Sequence, residues 1–341
     1  MKPDPKPDMS TPSTQPVIGA SPDRLRLVGR VPSITTLGPV LALVGACAFF
    51  AAQSDRFLTG PNFSLILQQV MVVGVIAIGQ TLVILTAGID LSCGMNMALG
   101  SIVMTKFAAD LGMNPYLAIG SGLLVCTGFG LANGLLITLV KLPPFIVTLG
   151  TLNIGFAITQ IYSKAQTVAG LPDELTFLGE TFRIGQTAVT YGTVGMLAMY
   201  LVTWYALRDT APGRHVYALG NNPEAARLMG IRTQRLLVII YAVAGFVYGV
   251  AGLMLVARTG VGDPQAGQTD NLDSITAVVL GGTSLFGGRG MILGTLLGAL
   301  IVGVFRNGLT LMGVSSVYQV LITGILVILA VTTDQLSRRR G

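Results

Sequence analysis

One carboxylate stands apart among the residues whose chemistry could matter. Asp90 lies in GIDLSCGMNMALGS, Gly88 to Ser101, at the end of a long apolar run, with glycines around it and more apolar sequence directly after it. An acidic side chain at the centre of a membrane helix costs about 2.5 to 3.5 kcal/mol, so Asp90 belongs where a helix breaks and water or protein satisfies it. The neighbouring glycines make such a break sterically accessible. Two compatible roles fit the residue. It can cap a helix beginning at Leu91 by accepting from its free amides, or it can touch cargo or take part in a gate.

The other reactive side chains form no catalytic set. His215 sits in a polar stretch with Arg208, Asp209 and Arg214 and has no second imidazole to share a metal, so it reads as a solvated loop histidine. Cys47, Cys93 and Cys126 lie in or beside apolar segments, without the paired spacing of a zinc site or a disulfide framework. They read as small packing residues. There is no Gly-x-x-x-x-Gly-Lys-Ser/Thr phosphate loop and no nucleophile, base and oxyanion arrangement. The expectation is a chain without catalytic residues, metal site or cofactor of its own.

The elements that must position Asp90 are membrane spans. With 52% hydrophobic and 11% charged residues in 341, the composition is that of a polytopic membrane protein. The net charge of +6 comes from residues scattered among apolar spans; they make no basic stripe with interleaved aromatics, which argues against a nucleic-acid partner. Residues 1–36 are rich in Pro, Ser, Thr and charge and read as a disordered cytoplasmic tail. The run from Leu37 to Ala52 reads as an uncleaved first span. Charge-poor segments follow at Leu65 to Ile89, Leu91 to Thr105, Leu111 to Val140, Leu142 to Ser163, Ile184 to Leu207, Leu236 to Ala257, Ser274 to Gly288, Gly290 to Phe305 and Asn307 to Thr333. At about 20 residues per crossing, these predict an all-α fold of about ten transmembrane or span-like helices, the short ones broken or re-entrant. The membrane domain is residues 37–334, and residues 335–341 form a basic cytoplasmic tail.

Alternating crossings place most of the 21 basic residues on one side, and leave Arg56, Lys106, Lys164, Arg183 and Arg258 on the other with Arg306 inside a span. That asymmetry predicts both termini inside. Of the outward arginines, Arg56, Arg183 and Arg258 are candidates for docking an acidic partner through forked hydrogen bonds. Membrane anchoring or pairing with the acidic outer loops explains each of them equally well.

The Asp90 stretch has a counterpart in GTSLFGGRGMILGT, Gly282 to Thr295. At one constant offset Gly88, Leu91, Gly94, Met97, Leu99 and Gly100 match Gly282, Leu285, Gly288, Met291, Leu293 and Gly294. This reads as a parallel internal repeat, with shared helix-packing chemistry as the alternative. Transporters built from repeats place broken helices near the midplane, so Gly88, Asp90, Ser92, Gly94, Asn96, Gly282, Ser284, Gly287 and Gly288 are the candidate break or gate residues. Gln68, Gln69, Gln80, Thr86, Ser92, Asn96, Asn133 and Asn153 either line a passage for neutral cargo or bridge helices.

The longest basic loop, residues 208–235, reads RDTAPGRHVYALGNNPEAARLMGIRTQR. Asn222 can cap a two-turn helix over Pro223 to Met229, with Pro223 at its first position, Glu224 in its first turn and Gly230 as the stop. Ala225, Ala226, Leu228 and Met229 offer it a small apolar surface. So short a helix needs packing to be stable.

VILTAGIDLSCG at Val83 to Gly94, ALGNNPEAARLMGI at Ala218 to Ile231, LDSITAVVLGGTSLFGGRGMILGTLLGALIVG at Leu272 to Gly303 and RNGLTLMGVSSVYQ at Arg306 to Gln319 resemble the ribose-permease-like, sugar-importing membrane subunits of bacterial ABC transporters. The resemblance covers nearly everything from Leu65 to Asp334. It implies a permease domain in the inner membrane, a second permease copy, a cytoplasmic ATPase that holds ATP and magnesium, a substrate-binding protein outside, surrounding membrane lipid, and a small polar cargo, a monosaccharide. It also implies that Asn222, Pro223, Glu224, Ala225, Ala226, Arg227, Leu228, Met229 and Gly230 form the segment that enters the ATPase groove. The chain departs from the family where Cys93 stands in place of Val and Ala87 in place of Gly.

Overall fold

The computed structural model describes residues 34–339. Most of the expected N-terminal tail, residues 1–33, and the last two residues of the expected basic tail lie outside the described residues. The described chain is helical apart from one small hairpin. In order it forms α1 (Ile34–Gln53), α2 (Gly60–Leu85), α3 (Cys93–Ala109), α4 (Pro115–Leu139), α5 (Pro144–Ser163), α6 (Asp173–Thr176), β1 (Thr181–Ile184), β2 (Thr187–Thr190), α7 (Tyr191–Asp209), α8 (Ala211–Asn221), α9 (Pro223–Leu228), α10 (Thr233–Thr259), α11 (Asp270–Leu280), α12 (Ile292–Leu311) and α13 (Ser316–Arg339). A proline occupies the first turn of α2, α4, α5, α8 and α9, where its missing N–H would be unbonded anyway. Asn114 caps α4 by accepting from Tyr116 N at 3.0 Å.

Among the described residues, α2, α4, α5, α10 and α12 are long and apolar enough to cross a membrane. Most of α2 is buried inside the protein, whereas most of α5 presents its apolar side chains outward, as a lipid-facing helix does. The core is α2 and α10 with α4 packed against α10. There Gly130 and Gly245 bring the backbones together: a side-chain carbon on Gly245 would overlap the Cys126 carbonyl, and one on Gly130 the Tyr241 carbonyl. Close approach of small residues is how membrane helices gain packing without a hydrophobic driving force.

Five of the segments differ in their boundaries from those read in the sequence. The run from Ile184 to Leu207 is not one span. β1 and β2 pair antiparallel with Ile184 opposite Thr187, Gly185 turns the hairpin at φ 61°, and α7 starts only at Tyr191. α12 continues through Arg306 to Leu311, because Arg306 is paired with Asp273 across the neighbouring α11, and the chain turns instead at Gly313 with φ 76°. α1 begins at Ile34, inside the expected tail, and α13 runs on to Arg339. The segment read as Ser274 to Gly288 is the shorter helix α11, which begins earlier and ends before the glycines.

Contacts sort the connections onto two ends. At the hairpin end, Ser64 Oγ accepts from Ala188 N at 2.8 Å, Val168 bridges to Gly262, and Gly262 lies against Thr105. At the other end sit α8 and α9, residues 140–143, and the turns that follow α2 and α11.

Candidate helix-break and coupling site

The first break, Thr86 to Ser92, is built from the backbone outward. α2 ends with Thr86 as its cap, and Ala87 takes φ 62°, a left-handed conformation that favours glycine and costs an L-residue roughly 1 to 2 kcal/mol. Each buried carbonyl in the stretch that follows is then satisfied from a different helix, as buried backbone groups require. Thr148 Oγ1 of α5 donates to Ile89 O at 3.0 Å. Gln80 Nε2 of α2 donates to Asp90 O at 2.7 Å, and Asn271 Nδ2 of α11 donates to Leu91 O at 3.3 Å.

Asp90 is 1% exposed, and its role differs from the cap expected of it. The helix begins at Cys93, not Leu91, and Ser92 is its N-cap residue without a side-chain cap bond. Asp90 Oδ1 instead closes a turn in front of the helix, accepting from Ser92 N at 2.8 Å and Ser92 Oγ at 2.6 Å. Asn133 Nδ2 of α4 donates to the same Ser92 Oγ at 3.0 Å. The chain bends at Leu91 and the first helical turn begins two residues downstream, so the carboxylate orients the residue that starts α3 rather than the free amides of its first turn. Among the described residues no lysine or arginine pairs with Asp90. Asp90→Asn keeps an acceptor for Ser92. Asp90→Leu leaves the buried Ser92 amide without an acceptor and its hydroxyl with only the bond from Asn133, a loss of about 1 to 3 kcal/mol. In matched thermal melts the Leu variant is expected to melt well below the Asn variant, and equal melting would reject the turn as the reason for the carboxylate.

The other residues read as break or gate divide by function. Asn96 bridges α3 to α4, donating to Cys126 O at 3.2 Å while Cys126 Sγ donates to Asn96 O at 3.2 Å. Gly94 and Gly88 are close approaches: Gly94 lies against the Gly267 backbone, and a side-chain carbon on Gly88 would stand 2.8 Å from Tyr241 Oη. The second break, residues 281–291, takes positive φ at Gly282, Gly287, Gly288 and Gly290, and Ser284 N donates to Arg289 O at 2.9 Å within it. Its neighbours α11 and α12 form a tight hairpin in which Gly281 meets Gly294 and Gly298 meets the Ala277 carbonyl. The two matched stretches are therefore both helix, break, helix, but not residue for residue. Gly94 and Met97 fall inside α3 while their partners Gly288 and Met291 precede α12, since the second break is the longer.

The two breaks touch each other, which the sequence did not reveal. Gly288 N donates to Leu85 O at 3.0 Å, and a side-chain carbon on Gly287 would stand 2.8 Å from the Ala87 Cβ. On this junction sits the end of α8. A side-chain carbon on Gly220 would overlap the Leu85 carbonyl oxygen and stand 2.5 Å from Gly288 N; one on Gly288 would stand 2.7 Å from Asn221 Cα. Tyr217 Oη donates to Gly290 O at 3.0 Å. α8 itself was read as loop, and His215 is exposed on it rather than in a loop. Thr210 caps it, accepting from Gly213 N at 3.3 Å, with Pro212 in its first turn, the same start signal as the one at Asn222 and Pro223.

One residue beyond this seat, α9 projects away. Asn222 Oδ1 accepts from Ala225 N at 3.0 Å, the helix ends at Leu228 with Met229 as its cap residue, and Gly230 turns the chain at φ 86°. Ala226 faces inward at 1% exposure and is not part of an outer apolar surface, whereas Leu228 is 84% and Met229 71% exposed. Glu224, Ala225 and Arg227 are exposed as well. Arg56, Arg183 and Arg258 are all exposed, each on a segment that reaches the hairpin end. Arg258 stands in the last turn of α10, not beyond the span, and donates to Gln68 O at 3.4 Å.

Buried spans interrupted by two touching breaks, with a surface helix pair seated on their junction, define a multi-pass membrane permease. The family of permease components described under branched-chain amino acid transport systems matches residues 62–331, and the chain belongs to it. Over 88% of this chain and 85% of the relative, the sequence is 47% identical to the fructose import permease protein of Rhizobium meliloti. It is 40% identical to the ribose import permease protein of Bacillus subtilis over 88% of this chain and 92% of that one. It is 36% identical to the D-allose transport system permease protein of Escherichia coli K12 over 87% and 90%.

Proposed function

We propose that this chain is the translocating subunit of a bacterial ABC importer for a monosaccharide. In this reading it acts as a homodimer in the plasma membrane with both termini cytoplasmic, residues 37–334 forming the permease domain and 208–235 its coupling region. A separate ATPase supplies the energy with ATP and magnesium, and a binding protein delivers the sugar at the hairpin end. The observation that carries the reading is the seat of α8 on both breaks, through Gly220, Leu85 O and Gly288 N. A force applied to α9 reaches both interrupted spans through one rigid turn of helix, which is what a subunit without its own phosphate loop needs in order to be driven from outside. The relatives that carry fructose, ribose and allose names support the cargo class.

The test is uptake by vesicles that hold this chain with its ATPase and binding protein. Monosaccharide uptake should require ATP inside the ATPase compartment and vanish without the binding protein. Uptake that persists on an ion gradient with no ATPase would overturn the reading in favour of a secondary transporter, with the buried Asp90 as its ion-coupling group.

A further inference from the structure

The hairpin end of the molecule is not flat. From Gly262, which packs on Thr105, the chain descends to Gly267, which packs on Gly94. Both partners lie on α3, and at 1.5 Å per residue the descent is about 16 Å, half of a bilayer core. α11 therefore starts near mid-depth, and above its first turn lies an open cavity of about 510 Å³ between α2, α10, the descending segment and α12. This is the size range of pockets that hold small organic ligands.

The walls carry an unusual chemistry for that depth. Arg258 and Arg306 face Asp263 and Asp270 across the cavity, so its charge balances, and Gln69 and Gln268 complete the polar lining. Arg258 and Arg306 are exposed and Asp263 and Asp270 half-buried, and charged groups that line a water-filled cavity of a membrane domain mark a pathway for polar cargo. Structural needs consume only part of them: Asp263 Oδ1 accepts from Gln265 N at 2.8 Å and Gln268 Nε2 donates one hydrogen to Gln265 Oε1 at 2.5 Å, which leaves the second oxygen of the carboxylate and the second hydrogen of the amide. Arg306 spends one contact on Asp273 at 3.3 Å. Arg258 makes, among the described residues, a single long bond to Gln68 O. Gln69 Oε1 is buried with no hydrogen-bond partner among the described residues, an acceptor that lacks a donor.

We propose that this cavity is a subsite for a neutral polyhydroxylated ligand, where the sugar rests between its delivery and its passage to the breaks; the identity of the ligand rests on the import reading above. Vicinal hydroxyls donate and accept together. The carboxylates and Gln69 Oε1 take their hydrogens, the guanidiniums and the Gln268 amide give to their oxygens, and a monovalent anion gains nothing from a charge-balanced wall. Asn271, next to Asp270, reaches Leu91 O in the first break, so the floor of the subsite is joined to the interrupted span beneath it.

The experiment uses the full chain in nanodiscs and saturation-transfer NMR with D-ribose, D-fructose and gluconate. The two neutral sugars should bind saturably and gluconate at least about tenfold more weakly. Gln69→Leu and Gln268→Leu should each weaken neutral-sugar binding about tenfold, the scale of a lost hydrogen bond to a site built for a hydroxyl. Glu174→Gln, exposed on α6 and outside the cavity, should bind as the unmodified chain does. Because Gln69 Oε1 has no partner, Gln69→Leu should melt no lower than the parent, whereas a merely structural Gln69 would lower the melting temperature. No saturable neutral-sugar binding, or binding undiminished in both Gln variants, would overturn the subsite. Vesicle uptake separates this from the import reading. Monosaccharide uptake with unchanged KM and kcat in both Gln variants overturns the subsite and leaves the reading standing. Absence of any monosaccharide uptake, with binding still lost in the variants, overturns the reading and leaves the subsite.

Discussion

Gly220→Val is expected to abolish uptake while the protein still inserts and remains monodisperse. The glycine is the only residue type that fits: any side-chain carbon there would overlap Leu85 O and crowd Gly288 N. A branched side chain must lift α8 off the junction, at about 1 to 3 kcal/mol of overpacking strain. Lifting it also lengthens the Gly288 to Leu85 bond and pulls Tyr217 Oη from Gly290 O. The spans below keep their own packing, because α4 and α10 meet elsewhere through Gly130 and Gly245, and α2 meets α10 where Gly79 lies against Tyr248. What is lost is the coupling between α9 and the breaks, and couplings of this kind are worth about 1 to 3 kcal/mol, or roughly 5-fold to 150-fold in function. Uptake at the upper end of that loss is the expected result. Tyr217→Phe removes one of the links without adding volume and should reduce uptake only several-fold. The comparison is made at equal membrane content. Normal uptake by Gly220→Val, or a heavier loss in Tyr217→Phe, would show that α8 does not clamp the breaks.

How much of this was legible in the sequence depended on whether the signal was local. Asp90 among glycines announced a broken helix because the cost of a buried carboxylate is a property of one residue. Asn222, Pro223 and Gly230 fixed α9 to within one residue because caps act over a single turn. α8 carried an equally good start at Thr210 and Pro212, but its charges hid it inside a loop reading. The hairpin was missed because β2 runs straight into the apolar face of α7, and hydropathy alone does not separate a strand from the helix it precedes. The cap assigned to Asp90 failed by two residues, a distance set by the bend at Leu91 and by partners on α2, α4, α5 and α11 that no local pattern names. The contact between the breaks is likewise long-range. Six matching residues suggested a repeat, but its register slips in the structure because the second break is longer than the first, so Gly94 and Met97 lie inside α3 while Gly288 and Met291 precede α12.

Leu228→Asp combined with Met229→Asp is expected to disconnect the transporter from its ATPase without disturbing the fold. Both side chains project from α9 into open space, at 84% and 71% exposure, so the folded chain alone loses almost nothing when they become polar. Neither takes part in the cap, which depends on Asn222 Oδ1 and Ala225 N, nor in the inward packing, which rests on Ala226. Two large apolar side chains exposed side by side at the end of a six-residue helix, Leu228 as its last residue and Met229 as its C-terminal cap residue, are costly to leave in water, and covering them in a groove returns about 1.5 to 3 kcal/mol each. Charge in that groove reverses the sign, since an unpaired carboxylate resists burial. Assembly with the ATPase should therefore weaken by at least two orders of magnitude, about 2.7 kcal/mol, with stimulated ATP hydrolysis and uptake lost in parallel and the melting temperature of the isolated permease unchanged. Asn222→Ala serves as the converse case. It removes the cap at about 1 kcal/mol, frays α9 while keeping its apolar pair, and should weaken assembly only partially. If the double aspartate variant assembles, stimulates and transports normally, α9 is a connector at the membrane surface and the driving contact must be sought on another element of residues 208–235.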